Sequence, residues 1–277
     1  MIFFKDKNFC DINPACFAIS TQKEVYKRFI KDLTGKDKFS KTIEKAKLPN
    51  VVASYSSNLI KRGKDIDPVL QQNKAVNIQL ACNKINGMII RPGETFSFWK
   101  TVGKTTRKKG YKDGRVIIQN KLRPGTGGGL CNLGNTINWL VLHSPLEIVE
   151  LHKHSDALSP DHGTRVPFSS GTSVSYNYID YRFKNNTDQN VQLFVWCENE
   201  KLYGELRSER EFPWNYEIIE ENHHFQKEGD NYYRVSQIYR NTTEKASQNV
   251  LNKELIWDNH SKVMYDHSLI PQEQIKL

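Results

Sequence analysis

The sequence predicts an α+β fold, in which an antiparallel sheet packs against two apolar-periodic helices. Apolar residues recur at helical spacing after Asp67-Pro68 and again after Cys131. From residue 146 onward, the pattern changes to short runs that alternate apolar and polar residues, which is typical of strands. The sequence contains no internal repeat. No low-complexity linker separates the helical part from the strand-rich part.

The N-terminal region, residues 1–66, is predicted to be a basic accessory region that contains one helix. We expect this helix around Gln22 to Leu33, because apolar residues recur there at helical spacing. Ser20 or Thr21 would serve as its N-terminal cap, and Gly35 would end it. Lysines crowd the segment that follows.

The core region, residues 67–207, is predicted to begin with a helix from Asp67 to Gly87, followed by a strand at Met88–Ile90. A second helix should start at Cys131. It should end before Pro145, because proline cannot continue a helix.

Strands are predicted for most of the remaining chain. Within the core region they are expected at Leu146–Leu151, Val174–Phe183 and Val191–Trp196, where β-branched, aromatic and alternating polar residues concentrate. Residues 208–277 are predicted to be a C-terminal β extension that forms a hairpin or meander, with a turn at Asn259–Ser261.

Cys131 is the predicted nucleophile. A glycine-rich arm, Gly127–Gly129, leads to this residue at the first turn of its helix. A thiol there lies beside unpaired backbone N–H groups and the positive end of the helix dipole, which favour thiolate. Gly128 and Gly129 are expected to leave room for a substrate or an oxyanion against the main chain. The alternative is that Cys131 is a small buried core residue.

Histidine and carboxylate groups follow the cysteine on predicted strands. His154 is the predicted base, and His152, on the same face of its strand, is the alternative. Asp180 is the predicted orienting acid, although this carboxylate could instead form an ion pair with Arg182. The order of nucleophile, base and acid suits a Cys-His-Asp arrangement. Papain-like and transglutaminase-like cysteine enzymes share this layout. The analogy is one of layout and not of sequence.

Further polar residues are candidates for contacts with substrate. Asn132 follows the nucleophile, and Asn135 lies one helical turn beyond it on the same side, where it forms part of the site or of a local polar network. Arg165 suits a carboxylate-bearing substrate through its bidentate fork, or it is simply solvated in its loop. Asp156 and Asp161 are alternative carboxylates.

Several motifs give the chain a resemblance to the VanW family, in the order Arg91–Phe98, Gly110–Gly114, Gly127–Asn132, Ser173–Tyr176 and Asp180–Asp188. The resemblance runs from about Asn73 to Arg207. It implies an association with glycopeptide resistance or with the Gram-positive cell envelope. It also carries Cys131, His154 and Asp180 as family-pattern positions. Many family members have glutamine after the cysteine, where this chain has the shorter Asn132.

Together these features predict a cysteine-dependent amidase, peptidase or acyltransferase that acts on peptidoglycan or its precursors. One alternative is a non-catalytic accessory protein that binds the envelope. The other is a structural module in which zinc is held by Cys131, His152, His154 and Asp180. A metal-free site is favoured, because no Cys-x-x-Cys or His-x-x-x-His pair accompanies these residues. No cofactor is predicted.

Composition limits the partners. The formal net charge of +9 predicts an acidic partner, such as peptidoglycan, its precursors or another anionic envelope polymer, with anionic lipid head groups a further option. No motif of a nucleic-acid-binding module is present, so no specific nucleic acid is expected.

The location is predicted from the apolar runs and the cysteines. No apolar run approaches the ~20 residues of a transmembrane helix, and charges interrupt the N-terminus where a signal peptide would need an apolar core. Five scattered cysteines form no disulfide framework and fit a reducing compartment. We therefore expect a cytoplasmic protein or one peripheral to the inner membrane face.

Overall fold

A computed structural model of the chain describes residues 8–62, 66–118, 121–153, 156–157, 160 and 171–276. The predicted α+β class is confirmed in these ranges, where helices are few and most strand pairs are antiparallel. The α-helices are α1 (Pro14–Thr34), α2 (Pro68–Ile85), α3 (Phe98–Val102) and α4 (Cys131–Leu142).

The strands are numbered in chain order. They are β1 (Lys38–Phe39), β2 (Thr42–Ile43), β3 (Asn50–Asn58), β4 (Met88–Ile90), β5 (Glu94–Ser97), β6 (Asp113–Ile118), β7 (Lys121–Thr126), β8 (Glu147–Glu150), β9 (Asp156–Ala157), β10 (Arg182–Lys184), β11 (Val191–Glu198), β12 (Lys201–Ser208), β13 (Trp214–Glu228), β14 (Asn231–Glu244), β15 (Val250–Val263) and β16 (Ile275–Lys276).

These strands form three sheets and one hairpin, rather than one sheet from residue 146 onward. The first sheet has the order β1-β5-β10-β8, the second β2-β4-β11-β12-β3 and the third β16-β13-β14-β15-β9, while β6 and β7 form the hairpin. Strands from the first hundred residues cover edges of β10, β11 and β12, which would otherwise present unpaired backbone groups.

The main core lies between α4, α2 and the second sheet. Helix α4 buries Leu133, Ile137 and Leu140 completely, and these residues belong to the same apolar cluster as Ile78 and Ile85 of α2. The helix contacts β12 and β3. Its first residue, Cys131, is therefore fixed by a helix whose apolar side is fully engaged in the core.

Helix α1 begins earlier than predicted. The side chain of Asn13 caps the helix by accepting a hydrogen bond from the backbone N–H of Cys16, at 2.9 Å, and Pro14 occupies the first helical position. Ser20 and Thr21 lie inside the helix, so the predicted cap is wrong. The predicted stop is confirmed, because the helix ends at Thr34, directly before Gly35.

Helix α1 is attached to the body by charged contacts, and none of its residues is buried. Both terminal nitrogens of Arg28 donate to Glu150, and Asp32 accepts from Arg182 at 2.7 and 3.0 Å. In the described part of the chain, neither α1 nor any other helix combines the length and apolarity needed to cross a bilayer.

The predicted strand at Val174–Phe183 is mostly a turn. The chain reverses at Tyr176–Tyr178, where Asn177 has a φ of 53°, and β10 covers only Arg182–Lys184. Asparagine tolerates this left-handed conformation better than most residues. Because the segment is not continuously extended, period-two spacing does not place Asp180 on a shared strand face.

The C-terminal meander is confirmed, but its turns lie elsewhere than predicted. Strands β13, β14 and β15 are antiparallel neighbours, joined at Gly229 and near Gln248, both of which have a φ of 58°. The predicted turn at Asn259–Ser261 is wrong, because these residues lie inside β15. There the buried Asn259 amide donates to the carbonyl of Arg234 at 2.9 Å.

Candidate functional site

Cys131 is the first residue of α4 and is half-buried. Its thiol lies 3.7 Å from the carbonyl oxygen of Val174, to which it donates a hydrogen bond. The thiol therefore points toward the chain segment that precedes the turn at Tyr176.

One short segment, Thr172–Val174, links the cysteine to a histidine. The backbone N–H of Thr172 donates to the Asn135 side chain at 2.7 Å, which holds the segment against α4. The backbone N–H of Ser173 donates to the carbonyl of His152, also at 2.7 Å. Cys131 and the His152 backbone thus hydrogen-bond to adjacent residues of the same segment, and Asn135 takes part in fixing it.

The environment of Cys131 does not favour thiolate in the free protein. Burial raises the pKa of the Cys131 thiol, and this effect outweighs the hydrogen bonds from the backbone and from the Ser173 side chain that lower it. The expectation of a lowered thiol pKa from the helix N-terminus is therefore wrong. The helix dipole acts on a group that has already lost most of its contact with water.

His152 has a carboxylate partner that sequence reasoning missed. Its Nε2 lies 2.8 Å from an oxygen of Glu150, and its side chain is 40% exposed. Glu150 also accepts from Arg28 and lies 3.6 Å from Nε of Arg182. A signal was available, because residues two apart along an extended chain share a face.

The same contacts determine the ionisation of Glu150. Burial alone would raise the pKa of its carboxyl group, but hydrogen bonds from His152 and Arg28 and the charges of Arg28 and Arg182 lower the pKa to about 2. The carboxylate beside His152 therefore stays ionised down to strongly acidic pH.

Asp180 lies at the centre of a buried polar cluster. Its carboxylate accepts from the Ser97 hydroxyl at 2.6 Å, the Trp99 backbone N–H at 3.0 Å and Nε of Arg182 at 2.7 Å. The ion pair with Arg182, the alternative considered for this residue, is therefore present. Asp180 reaches the His152 region through its backbone N–H, which lies 3.3 Å from the Glu150 carboxylate.

The glycine-rich arm packs closely against its neighbours. A side chain at Gly128 would lie 2.4 Å from the backbone of Gly114, and one at Gly129, where φ is 94°, would lie 2.2 Å from the Lys74 side chain. The space that a side chain would occupy at these two glycines is filled by β6 and α2, so both positions require glycine, and their contact with substrate or an oxyanion stays a prediction. The N–H of Asn132 is engaged as well, because it donates to the Gly129 carbonyl at 3.1 Å.

Lys74 is a second residue that sequence reasoning missed. Its side chain lies over Gly129, and its Nζ donates to the side chain of Gln71 at 2.8 Å. Burial, together with the nearby charges of Lys61 and Arg115, lowers the pKa of Lys74 to about 8. No spacing in the sequence connects α2 with the arm, so this proximity becomes visible only in the fold.

Three predicted residues, His154, Asp161 and Arg165, lie outside the described residues, as does the side chain of Asp156. Within the described ranges, no group of three or more histidine, cysteine or acidic residues is placed to hold a metal ion. The zinc alternative included His154, so that set of four ligands stays a prediction.

A cavity of about 700 Å³ lies on another part of the molecule, between the chain after β3, the start of α2 and the turn between β11 and β12. Cys197 lines it, whereas Cys131 and the histidines do not. The lining of this cavity includes no histidine, so the cavity does not fit the predicted arrangement of a thiol and an imidazole.

Comparison with known proteins decides the family. A family model described as VanW like protein matches residues 73–207, the span of the resemblance noted in the sequence. Residues 73–207 belong to the VanW family. The matched region contains Cys131, His152 and Asp180, together with most of α2 and all of α3 and α4.

Two curated relatives extend this result. The chain is 28% identical to the vancomycin B-type resistance protein VanW of Enterococcus faecalis over 227 residues, which is 82% of each protein. It is 33% identical to the uncharacterized protein YoaR of Bacillus subtilis over 122 residues, which is 44% of this chain and 39% of YoaR. No solved structure matches.

The contacts of Glu150 predict a specific sensitivity of the fold to acid. The pKa of Glu150 falls from 4.5 to about 2 on folding, so its contribution is fully present above about pH 4.5 and is lost as the pH falls toward 2. After a discount for solvent screening, a shift of this size corresponds to about 1–2 kcal/mol of unfolding free energy. We expect Glu150→Gln to remove this part of the pH dependence in urea titrations between pH 2 and 7.

The matched control is Glu211→Gln, which changes a carboxylate whose side chain is 78% exposed. It should leave the pH dependence as in the parent chain, because exposed pairs contribute little. Equal acid sensitivity of the parent chain and Glu150→Gln would show that other groups govern unfolding in acid.

Proposed function

We propose that this VanW-family chain is a cysteine-dependent acyl-transfer enzyme, that is an amidase, peptidase or acyltransferase, with peptidoglycan or its precursors as substrate. One observation carries the proposal. Cys131 begins a core helix, and its thiol hydrogen-bonds to the same short segment that pairs with His152. A nucleophile on a rigid helix next to a histidine-bearing segment suits this chemistry.

The proposed reaction begins with general base catalysis. Because burial raises the pKa of Cys131, the thiol has to lose its proton to an imidazole as it attacks the amide carbonyl. The new S–C bond forms a tetrahedral oxyanion, which collapses to a thioester as the C–N bond breaks. The imidazolium returns its proton to the departing amine. Water or a second amine then attacks the thioester and frees the thiol.

His154 and His152 remain the two proposals for the base. Glu150 supports His152 as an alternative, because a carboxylate at 2.8 Å fixes the orientation and tautomer of an imidazole. Glu150 would be a positioning residue, since it acts through His152. Asp180 stays the proposed orienting acid for a mechanism that uses His154.

The papain-like or transglutaminase-like layout is also a proposal. It is supported by the order of Cys131 at the start of α4, His152 after β8 and Asp180 before β10. Asn132 and Arg165 remain proposed substrate contacts.

The proposed substrate class comes from the relatives and the charge. The Enterococcus relative is named for vancomycin resistance, which motivates a role for this chain in the same context. Peptidoglycan, its precursors and other anionic envelope polymers fit a net charge of +9. A location in the cytoplasm or at the inner membrane face would give access to the precursors.

One observation favours a second candidate, a non-catalytic accessory protein that binds the envelope. The raised thiol pKa and the half-buried position of Cys131 are also what a structural cysteine would have. The two candidates differ in whether a covalent intermediate forms on the thiol.

Mass spectrometry of the intact chain tests this difference. We expect incubation with peptidoglycan stem peptides, followed by acid quenching, to trap a thioester on Cys131, and Cys131→Ser to carry no thioester. Cys197→Ser is the matched control and should still be acylated at Cys131. A hydrogen bond from Cys82 lowers the pKa of Cys197. Cys197 is therefore the thiol to exclude as a second site of acylation. If no adduct forms on the parent chain with any stem peptide or intact precursor, the accessory role is favoured.

A further inference from the structure

Helix α1 presents an apolar face that no other described residue covers. Tyr26 is 66% exposed and Leu33 is 73% exposed, and Ile19, Phe29 and Ile30 are also strongly exposed. Contiguous apolar exposure on this scale marks an interaction surface rather than scattered surface residues. The opposite side of the helix already has its partners, through Arg28 and Asp32.

The residues of α1 divide into three faces. Successive helical residues advance by about 100°, so Ile19, Tyr26, Ile30 and Leu33 lie within about 60° of one another. Arg28 and Asp32 lie on the side that contacts the body. The lysines at 23, 27 and 31 form the remaining face, directly beside the apolar one. We call Ile19, Tyr26, Ile30 and Leu33 the apolar stripe, and these three lysines the lysine face.

The lysine face indicates which kind of partner fits the stripe. Lysine is depleted in protein–protein interfaces, because its strongly hydrated ammonium group is costly to desolvate. At a bilayer surface, in contrast, lysines extend along the apolar boundary and keep their charge among the head groups. Residues 14–47 carry nine basic and four acidic residues, so the charge around the stripe is complementary to anionic lipid.

We propose that α1 is an interfacial helix that binds the surface of an anionic phospholipid bilayer. The apolar stripe enters the boundary between head groups and acyl chains, and the lysine face contacts lipid phosphates. The ion pairs of Arg28 and Asp32 meanwhile keep α1 attached to the body. This inference does not depend on the chemistry proposed for Cys131.

Cosedimentation of the full chain with vesicles tests the proposal. We expect binding to phosphatidylglycerol vesicles that weakens as salt is raised, and at least about tenfold weaker binding to pure phosphatidylcholine. The double variant Ile30→Ser/Leu33→Ser should lower affinity for phosphatidylglycerol by about tenfold or more, because two large apolar side chains no longer enter the bilayer. These side chains are exposed, so the unfolding midpoint should not change.

A matched control replaces two equally exposed apolar residues elsewhere. Val250→Ser/Leu251→Ser lies at the start of β15, where the side chains are 63% and 55% exposed, and it should bind vesicles like the parent chain. Three results would overturn the proposal. One is no binding of the parent chain to phosphatidylglycerol, and another is equal binding by the stripe variant. The third is a dimer in sedimentation that the stripe variant abolishes without any vesicle binding, which would assign the stripe to a second copy.

Discussion

Replacing Cys131 with alanine should reduce turnover of the proposed peptidoglycan-derived substrate by at least about 10³-fold while leaving the fold intact. The thiol is the group proposed to form the covalent bond, and no other described residue offers a nucleophile at the start of α4. Cys131→Ser should be nearly as inactive, because a hydroxyl is a far weaker nucleophile when the site has evolved for sulfur. Release of the amine product, measured under steady-state conditions, gives the comparison.

The same assay distinguishes the two proposed bases. If His152 accepts the proton, His152→Ala should lower the rate by about 10²- to 10⁴-fold and His154→Ala by much less, and the reverse holds if His154 is the base. Cys197→Ser serves again as the control that should retain activity. Full activity of Cys131→Ala would contradict the proposed mechanism, whichever histidine is involved.

Replacing Arg182 with methionine should lower the free energy of unfolding by about 3–5 kcal/mol. The guanidinium group is 4% exposed, donates to Asp180 at 2.7 Å and to Asp32 at 2.7 and 3.0 Å, and lies near Glu150. Its loss would leave the fully buried carboxylate of Asp180 without its counter-charge. Chemical denaturation at constant pH measures this change.

Arg210→Met is the matched control for this prediction. Arg210 also forms an ion pair, with Asp188 at 2.9 Å, but the two side chains are 64% and 79% exposed. Exposed pairs contribute between 0 and about 1 kcal/mol, so this variant should unfold close to the parent chain. Similar destabilisation by the two substitutions would show that burial does not determine how much the Arg182 ion pairs contribute to the free energy of unfolding.

Local signals in the sequence predicted the elements that local chemistry controls. Asp67 caps α2 through its carboxylate, Pro68 occupies the first helical position, and the helix ends close to Gly87, as predicted. The start of α4 at Cys131 follows from the same kind of pattern. Such elements need only residues within a few positions of one another.

The partners of the site residues could not be predicted in this way. Arg28 and Glu150 are 122 residues apart in the chain, and Asp32 and Arg182 are 150 apart. No periodicity relates positions so distant. The role of Asp180 as the acid that orients a histidine therefore rests on the order of cysteine, histidine and carboxylate along the chain. The turn at Asn177 was also missed, because the flanking aromatic and β-branched residues favour a strand and the fold overrides that preference.

The ionic attachment of α1 has a consequence for any shortened form of the chain. A fragment that starts after Gly35 would lose Arg28 and Asp32, and with them partners of Glu150 and Arg182 that lie far along the sequence. No apolar core residue would be removed, since α1 buries none. Glu150, beside His152, and Arg182 would instead each lose an ion-pair partner. Removing the N-terminal residues would therefore change the electrostatics of a site in the middle of the sequence.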